Sequence, residues 1–451
     1  MIFDMPVKIR SRRAWIVYIF GALGGILLGY DTGVIAGALL FIRRDMALSP
    51  QLQGLVVGGI LFGAMIGAFG TGRLAERFGP RKMLITAGLM FFVTALLAAT
   101  APTPITLIVA RVLVGVSVGI SSVQVPLYLS EVAPTHIRGG LASLNQLAIA
   151  TGIFISYVVC YLLSFSGQWR WMLGLATIPA LLLTVGMLSQ PDSPRWLVRR
   201  GRTVEALHVL QITHTEDDAS SALAEIQKVS GQPQVKFMEI LGSKALRPTL
   251  ISVFGLAILQ QLLGINTVVF YAPTILRSAG FGESAALLNS VGLGFLSITM
   301  TILAARIVDR VGRRPLLICG ALVMCASMLA LAWVFFANNL SQGIGRMVAV
   351  CALATFKAAF SFSWGPLVWV LMPELLPLGI RAKILSKAAF CIFSTNFIVA
   401  SLFPTLLQAG ATTAFGLFAG CCFIACCFAV FQLKETARLS LEEIERRTMS
   451  G

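Results

Sequence analysis

Charge is what this chain has least of. Lys, Arg, Asp and Glu make up 12% of its 451 residues, only 19 of them acidic, against 57% hydrophobic side chains. That is too little polar surface to coat a soluble globule of this length. Histidine is scarcer still. His136, His208 and His214 all sit in polar stretches between apolar runs, so they offer no framework for a metal. Nor does the chain show a nucleophile beside a base, a metal ligand set or a nucleotide-binding loop, and an enzyme reading is excluded. Cysteines 421, 422, 426 and 427 cluster near the C-terminus. A helix scatters them around its circumference with no His or carboxylate nearby, so they read as small packing residues that form no disulfides.

What the chain has in abundance is long apolar runs. Twelve are long enough to cross about 30 Å of hydrocarbon as helix: 15-41, 52-71, 83-101, 105-128, 141-163, 171-190, 250-272, 285-305, 315-337, 347-372, 384-407 and 411-433. The basic stretch Lys8, Arg10, Arg12 and Arg13 leads into an uninterrupted first run, which reads as a spanning helix rather than a cleaved signal. The net charge of +16 is no nucleic-acid signature, because the basic residues gather at 8-13, 73-82, 195-202, 306-314 and 381-387, on alternate loops. By the positive-inside rule those loops and both termini are cytoplasmic. The expected organisation is therefore 1-190, 191-247, 248-433 and 434-451. These are a six-helix bundle, a charged cytoplasmic linker with short helices, a second six-helix bundle, and a polar tail able to dock through Leu439, Leu441 and Ile444. The fold class is an all-α membrane protein.

Two charged patterns occur twice, about half a chain apart. EVAPTHIRG places Glu131 seven residues before Arg138, and PELLPLGIRAK places Glu374 seven before Arg381. GRLAERFGPRK carries Arg73, Glu76 and Arg77; ARIVDRVGRRP carries Asp309, Arg310 and Arg313. A transporter built from two structural repeats needs the same latch in each half. Glu131 and Glu374 are expected to accept from arginines of the 73-82 and 306-314 loops, forming pairs that close and break as the halves rock. Surface pairs are each worth about 0–1 kcal/mol, so such a latch requires a network.

Polar residues inside the apolar runs carry the rest. Asp31 lies well within the first, where a lone carboxylate costs roughly 2.5–3.5 kcal/mol, and Arg111 in the fourth is a suitable partner. A carboxylate that exchanges an arginine for a proton can couple a proton gradient to a change of shape; the bland alternative is a permanent ion pair joining two helices. Gln260, Gln261 and Asn266 in LAILQQLLGINTVVFYAP supply donors and acceptors for an uncharged polyhydroxylated solute, or simple interhelical bonds. Gly264 between them permits local unwinding. Gln146 gives the first half a comparable amide, and Trp369 offers a flat face for a sugar ring. Glycines 21, 25, 29, 59, 63 and 67 recur at helical spacing and read as sites of close helix approach. Lys387 reads as snorkelling to the interface, whereas Lys357, near the middle of the tenth run, has no acid in its sequence neighbourhood.

These residues resemble the sugar porter branch of the major facilitator superfamily over nearly the whole chain. The matching motifs are GYDTGVIAGAL, GRLAERFGPRK, ARVLVGVSVG, PLYLSEVAPTHIRG, PDSPRWL, QQLLGINTVVFYAP, DRVGRRP, SWGPLVWVLMPE and KET, in that order. The resemblance implies the major facilitator fold of two six-helix bundles, alternating access and a monosaccharide substrate. It implies sugar binding at Gln146, Gln260, Gln261, Asn266, Trp369 and Asn396, and proton coupling at Asp31, since facilitators commonly carry asparagine there. Phe270, Ser297, Ile392 and Phe393 depart from the family pattern of a tyrosine, an asparagine, an amide and a tryptophan, and leave that side less polar. The expected protein is a monomeric proton symporter of the bacterial inner membrane, for a monosaccharide or close polyol. Its partners are sugar, protons and membrane lipid, with no cofactor, metal or nucleic acid. A facilitator without proton coupling is the first alternative and a membrane sugar sensor the second.

Overall fold

A computed structural model describes residues 12–132, 138–213, 216–230, 242, 246–337, 343–376, 378–433 and 435. The tail beyond 435 and the side chains of Arg138, Asp309 and Arg310 lie outside what is described, so their expected roles in docking and gating find no geometry here.

Among the described residues the chain is helical, with 12 stretches long and apolar enough to cross a membrane. In the first half these are α1 Arg12–Asp45, α2 Pro50–Phe78, α3 Pro80–Ala99, α4 Pro104–Val132, α5 Arg138–Ser164 and the broken pair α6 Trp169–Gly174 with α7 Thr177–Leu188. Three short helices follow, α8 Pro194–Arg199, α9 Thr203–Thr213 and α10 Glu216–Ser230. The second half contains α11 Arg247–Leu262, α12 Ile265–Ser278, α13 Glu283–Val311, α14 Arg313–Phe336, α15 Gly343–Phe362, α16 Trp364–Glu374, α17 Leu378–Ala409 and α18 Ala411–Phe431. Several helices overrun the apolar runs that mark them. The polar turns at 73–78 and 306–311 satisfy their own backbone as helix beyond the apolar part.

Local chemistry sets the boundaries. Ser49 caps α2, its hydroxyl accepting from Leu52 N–H at 3.3 Å, and Pro50 fills the first helical position. Ser193 and Pro194 repeat the device at α8. Gly79 and Gly312, with φ of 89° and 99°, turn the chain between α2 and α3 and between α13 and α14, a conformation that disfavours any side chain.

Close approach is built on glycine. A Cβ on Gly29 would overlap the Ile149 carbonyl of α5, and one on Gly63 would overlap the Val112 carbonyl of α4. These contacts weld α1 to α5 and α2 to α4. The two bundles then meet along α2–α17, α5–α13 and α1–α12. Large apolar side chains such as Ile105 and Phe336, both more than 60% exposed, complete the outer surface that hydrocarbon would cover.

Candidate functional site

The seventh and tenth spans are both broken where polar groups meet. Gly264 adopts φ 87° between α11 and α12, and Ser363 separates α15 from α16 with φ −123° and ψ −91°. An amide relay crosses between the breaks. Asn266 Nδ2 donates to Gln261 Oε1 at 2.6 Å, Gln261 Nε2 to Gln260 Oε1 at 3.1 Å, and Gln260 Nε2 to the Trp364 carbonyl at 2.9 Å. The relay thereby ties α11 to the first turn of α16, just beyond the break in the tenth span. Gln260 and Gln261 are buried while Asn266 is half-buried, so the polar end of the relay lies at Asn266.

The other expected residues lie on α16, α17 and α5. Trp369 is 46% exposed on α16. Asn396 on α17 is buried, and its Oδ1 has no partner among the described residues. Gln146 on α5 is half-buried. The departures from the family pattern have different fates. Phe270 and Ile392 are buried in the apolar core, whereas Ser297 keeps a polar contact, its hydroxyl 2.9 Å from that of Ser361. Sequence reasoning did not single out Thr267, whose buried hydroxyl is unpartnered beside Asn266.

Asp31 and Arg111 do pair. Arg111 Nη1 donates to Asp31 Oδ1 at 2.6 Å, and the side chains are 4% and 1% exposed. Arg111 Nε also reaches the Val56 carbonyl at 3.4 Å, so α1, α2 and α4 enclose the pair. No described contact joins it to the amide relay. The two polar clusters are therefore separate, one inside the first bundle and one at the breaks of the second.

The charged loops cluster at one end of the fold. Arg313 Nη2 lies 3.5 Å from Glu374, as the repeat pattern anticipates, while Arg381 donates to the Leu376 carbonyl at 3.0 and 3.2 Å. Glu131 accepts from Ser193 of the PDSPRWL motif. Arg73, Glu76 and Arg77 are exposed, and their side chains make no ion pair among the described residues.

A second pair of arginines, unremarked in the sequence, repeats more closely. Arg81 donates through Nε and Nη2 to the Met187 and Leu188 carbonyls ending α7, at 3.1 and 2.6 Å. Arg314 does the same to the Ala429 and Val430 carbonyls of α18, at 3.3 and 2.6 Å. Both guanidinium groups satisfy orphan carbonyls at a helix C-terminus, where positive charge is favoured. An acid completes each clasp. Asp192 stands 3.6 Å from Arg81, and the Glu435 carboxylate accepts the Arg313 and Arg314 backbone N–H groups at 3.0 Å each.

At the opposite end, Arg44 at the close of α1 meets Glu283 at the start of α13 at 2.8 Å, and Arg277 reaches the same carboxylate at 3.2 Å. Among the described residues this is the ion pair that joins the two bundles. Tyr157 of α5 adds a hydrogen bond to the Val269 carbonyl of α12 at 2.7 Å. The halves are thus fastened at the end remote from the charged loops.

A buried ion pair in the first six-helix bundle, two broken helices in the second and an arginine clasp repeated within each fit a membrane transporter. The chain belongs to the sugar (and other) transporter family, whose profile matches residues 17–447. It is similar to the D-xylose transporter of Levilactobacillus brevis, at 43% identity over 95% of this chain and 94% of that one. It is also similar to the galactose-proton symporter of Escherichia coli, at 36% identity over 99% and 97%. Among solved structures, the E. coli xylose transporter XylE in a partially occluded inward-open conformation matches with a TM-score of 0.83. That match has 31% identity and covers 95% of this chain and all of XylE. The protein is therefore a multi-pass transporter and not an enzyme.

Proposed function

We propose that this protein carries a monosaccharide or close polyol into a bacterial cell across the inner membrane, together with a proton. The carrying observation is the Asp31–Arg111 pair, fully enclosed at 2.6 Å. A buried carboxylate whose partner can be replaced by a proton gives two discrete states of one bundle, and relatives named as proton symporters support the reading. Residues 1–190 and 248–433 act as the rocking bundles, 191–247 links them, and the charged-loop end with both termini faces the cytoplasm. Substrate binds at the seam to Gln146, Gln260, Gln261, Asn266 and Asn396, with Trp369 against the sugar ring. The cytoplasmic gate comprises Arg73, Glu76, Arg77, Glu131, Arg138, Asp309, Arg310, Arg313, Glu374 and Arg381. The transporter works as a monomer in lipid.

Uptake into energised membrane vesicles tests this. Accumulation above the external concentration should collapse with a protonophore; accumulation that ignores the protonophore removes proton coupling. One observation favours the facilitator reading, the separation of Asp31 from the amide relay, because a static pair would look the same. Under that reading Asp31→Asn leaves both counterflow and net uptake intact.

A further inference from the structure

Lys357 is an intramembrane charge that symport as described leaves without a task. It lies about midway along the span Gly343–Glu374, is 6% exposed, and shares the buried face of α15 with Leu353, Phe356 and Ser361. It has no hydrogen-bond or ion-pair partner among the described residues. Asp31 is committed to Arg111, Glu283 to Arg44 and Arg277, and Glu374 to Arg313; Asp45, Glu76 and Glu131 lie at the ends of their spans. An ionisable side chain kept at this depth marks a solute pathway by default.

Its position points to the substrate seam. The bond from Gln260 to the Trp364 carbonyl brings those two residues within a side chain's length of each other. From that contact Lys357 stands about 10 Å back along α15, and Asn266 about 9 Å onward from Gln260, at 1.5 Å per residue. Both steps run toward the end where Arg44 meets Glu283, so Lys357 and Asn266 lie on the same side of the two breaks, on helices that pack together. Ser361, one turn from Lys357 on the same face, bonds Ser297 of α13. Gly294, on the same side of α13 as Ser297, lies against Phe154 and Tyr157 of the other bundle. The face of α15 that holds the lysine therefore adjoins the surface where the bundles meet. On α12, which packs against α15, the buried Thr267 Oγ1 is also unpartnered among the described residues.

We propose that Lys357 is the counter-ion for a carboxylate on the transported solute, so that the substrate is a sugar acid, a hexuronate or an aldonate, rather than a neutral sugar. The hydroxyls of such a solute need the amide relay, as any sugar does, and its carboxylate supplies the missing partner of the ammonium. One anion entering with one proton moves no net charge, so the cycle is electroneutral, whereas proton symport of a neutral sugar is electrogenic. This rests on the sugar-transport reading above and narrows its substrate class.

The test uses the full-length protein in detergent and in proteoliposomes, with galacturonate, gluconate, galactose and xylose as probes. Thermal shift and calorimetry should show the acids binding at least about tenfold more tightly than the neutral sugars, and uptake of the acids should generate no membrane current. Lys357→Met should cost acid affinity about tenfold or more while leaving or improving neutral-sugar affinity, and Lys357→Arg should retain acid binding. Neutral sugars that bind while both acids do not would overturn the assignment and leave sugar transport standing. Binding of neither class would overturn both. An unchanged acid-to-neutral ratio in the methionine variant would also refute it. Should that variant misfold, the preference and current of the unaltered protein decide the matter alone.

Discussion

The Asp31–Arg111 pair is the feature on which a quantitative test bites hardest. Each side chain is essentially sealed from solvent, and the geometry rests on one short contact. Asp31 Oδ2 and Arg111 Nη2 find no partner among the described residues. Replacing Asp31 with Asn leaves a guanidinium buried and uncompensated, which costs about 3–5 kcal/mol in comparable sites, and Arg111→Gln does the same to the carboxylate. The double variant leaves two neutral polar groups, whose desolvation costs about 1–3 kcal/mol each when unsatisfied. The singles therefore sum to about 6–10 kcal/mol and the double to about 2–6, so at mid-range the double should fall about 4 kcal/mol short of that sum. Equilibrium unfolding of the purified protein in mixed micelles, followed by tryptophan fluorescence, measures all four corners of the cycle. Additivity within about 0.5 kcal/mol would show that the two charges do not depend on each other, and the coupling mechanism would lose its physical basis.

Other outcomes follow from single contacts. Glu283 holds Arg44 and Arg277 at the end opposite the charged loops; Glu283→Gln should release about 1 kcal/mol of closure there. Spin labels on α2 and α18 at that end should report a larger share of long distances, and an unaltered distribution would rule out a latch. Gly63→Ala forces a methyl into the Val112 carbonyl, whereas nothing lies within 4 Å of a Cβ on Gly70. The first should lower stability by about 1–3 kcal/mol and the second should be close to neutral, read by thermal melting. Arg314→Lys keeps the charge but loses the two-pronged grip on Ala429 and Val430. It should loosen the end of α18 to hydrogen exchange, where simple charge neutralisation predicts no difference from the native residue. Gln261→Ala severs the relay between Asn266 and Gln260, and should weaken substrate affinity without abolishing folding, as measured by calorimetry beside a melting curve.

The spans were legible because apolar length and backbone self-satisfaction leave little choice but helix in a bilayer. The break at Gly264 was equally visible, since glycine there permits the left-handed turn that the structure adopts. The matching break at Ser363 was not, because serine carries no comparable backbone signal and the residues after it are held by tertiary contact with Gln260. Asp31 with Arg111 could be paired in advance, as two costly charges in one half of a membrane protein have few other solutions. The clasps of Arg81 and Arg314 could not, for their acceptors are main-chain carbonyls that every residue possesses. The Arg44–Glu283 latch escaped for a different reason: both residues lie at polar helix ends, 239 positions apart, where charge alone suggests solvation.

Proton movement driven by the solute, with and without Asp31, is the most direct measurement. In de-energised cells expressing the protein, adding a solute that stabilises it should turn the weakly buffered medium alkaline. Asp31→Asn should abolish that signal while counterflow of the same solute survives. A solute that is taken up by the unaltered protein with no change in external pH, or an Asp31→Asn variant that still alkalinises the medium, would contradict proton coupling through this carboxylate.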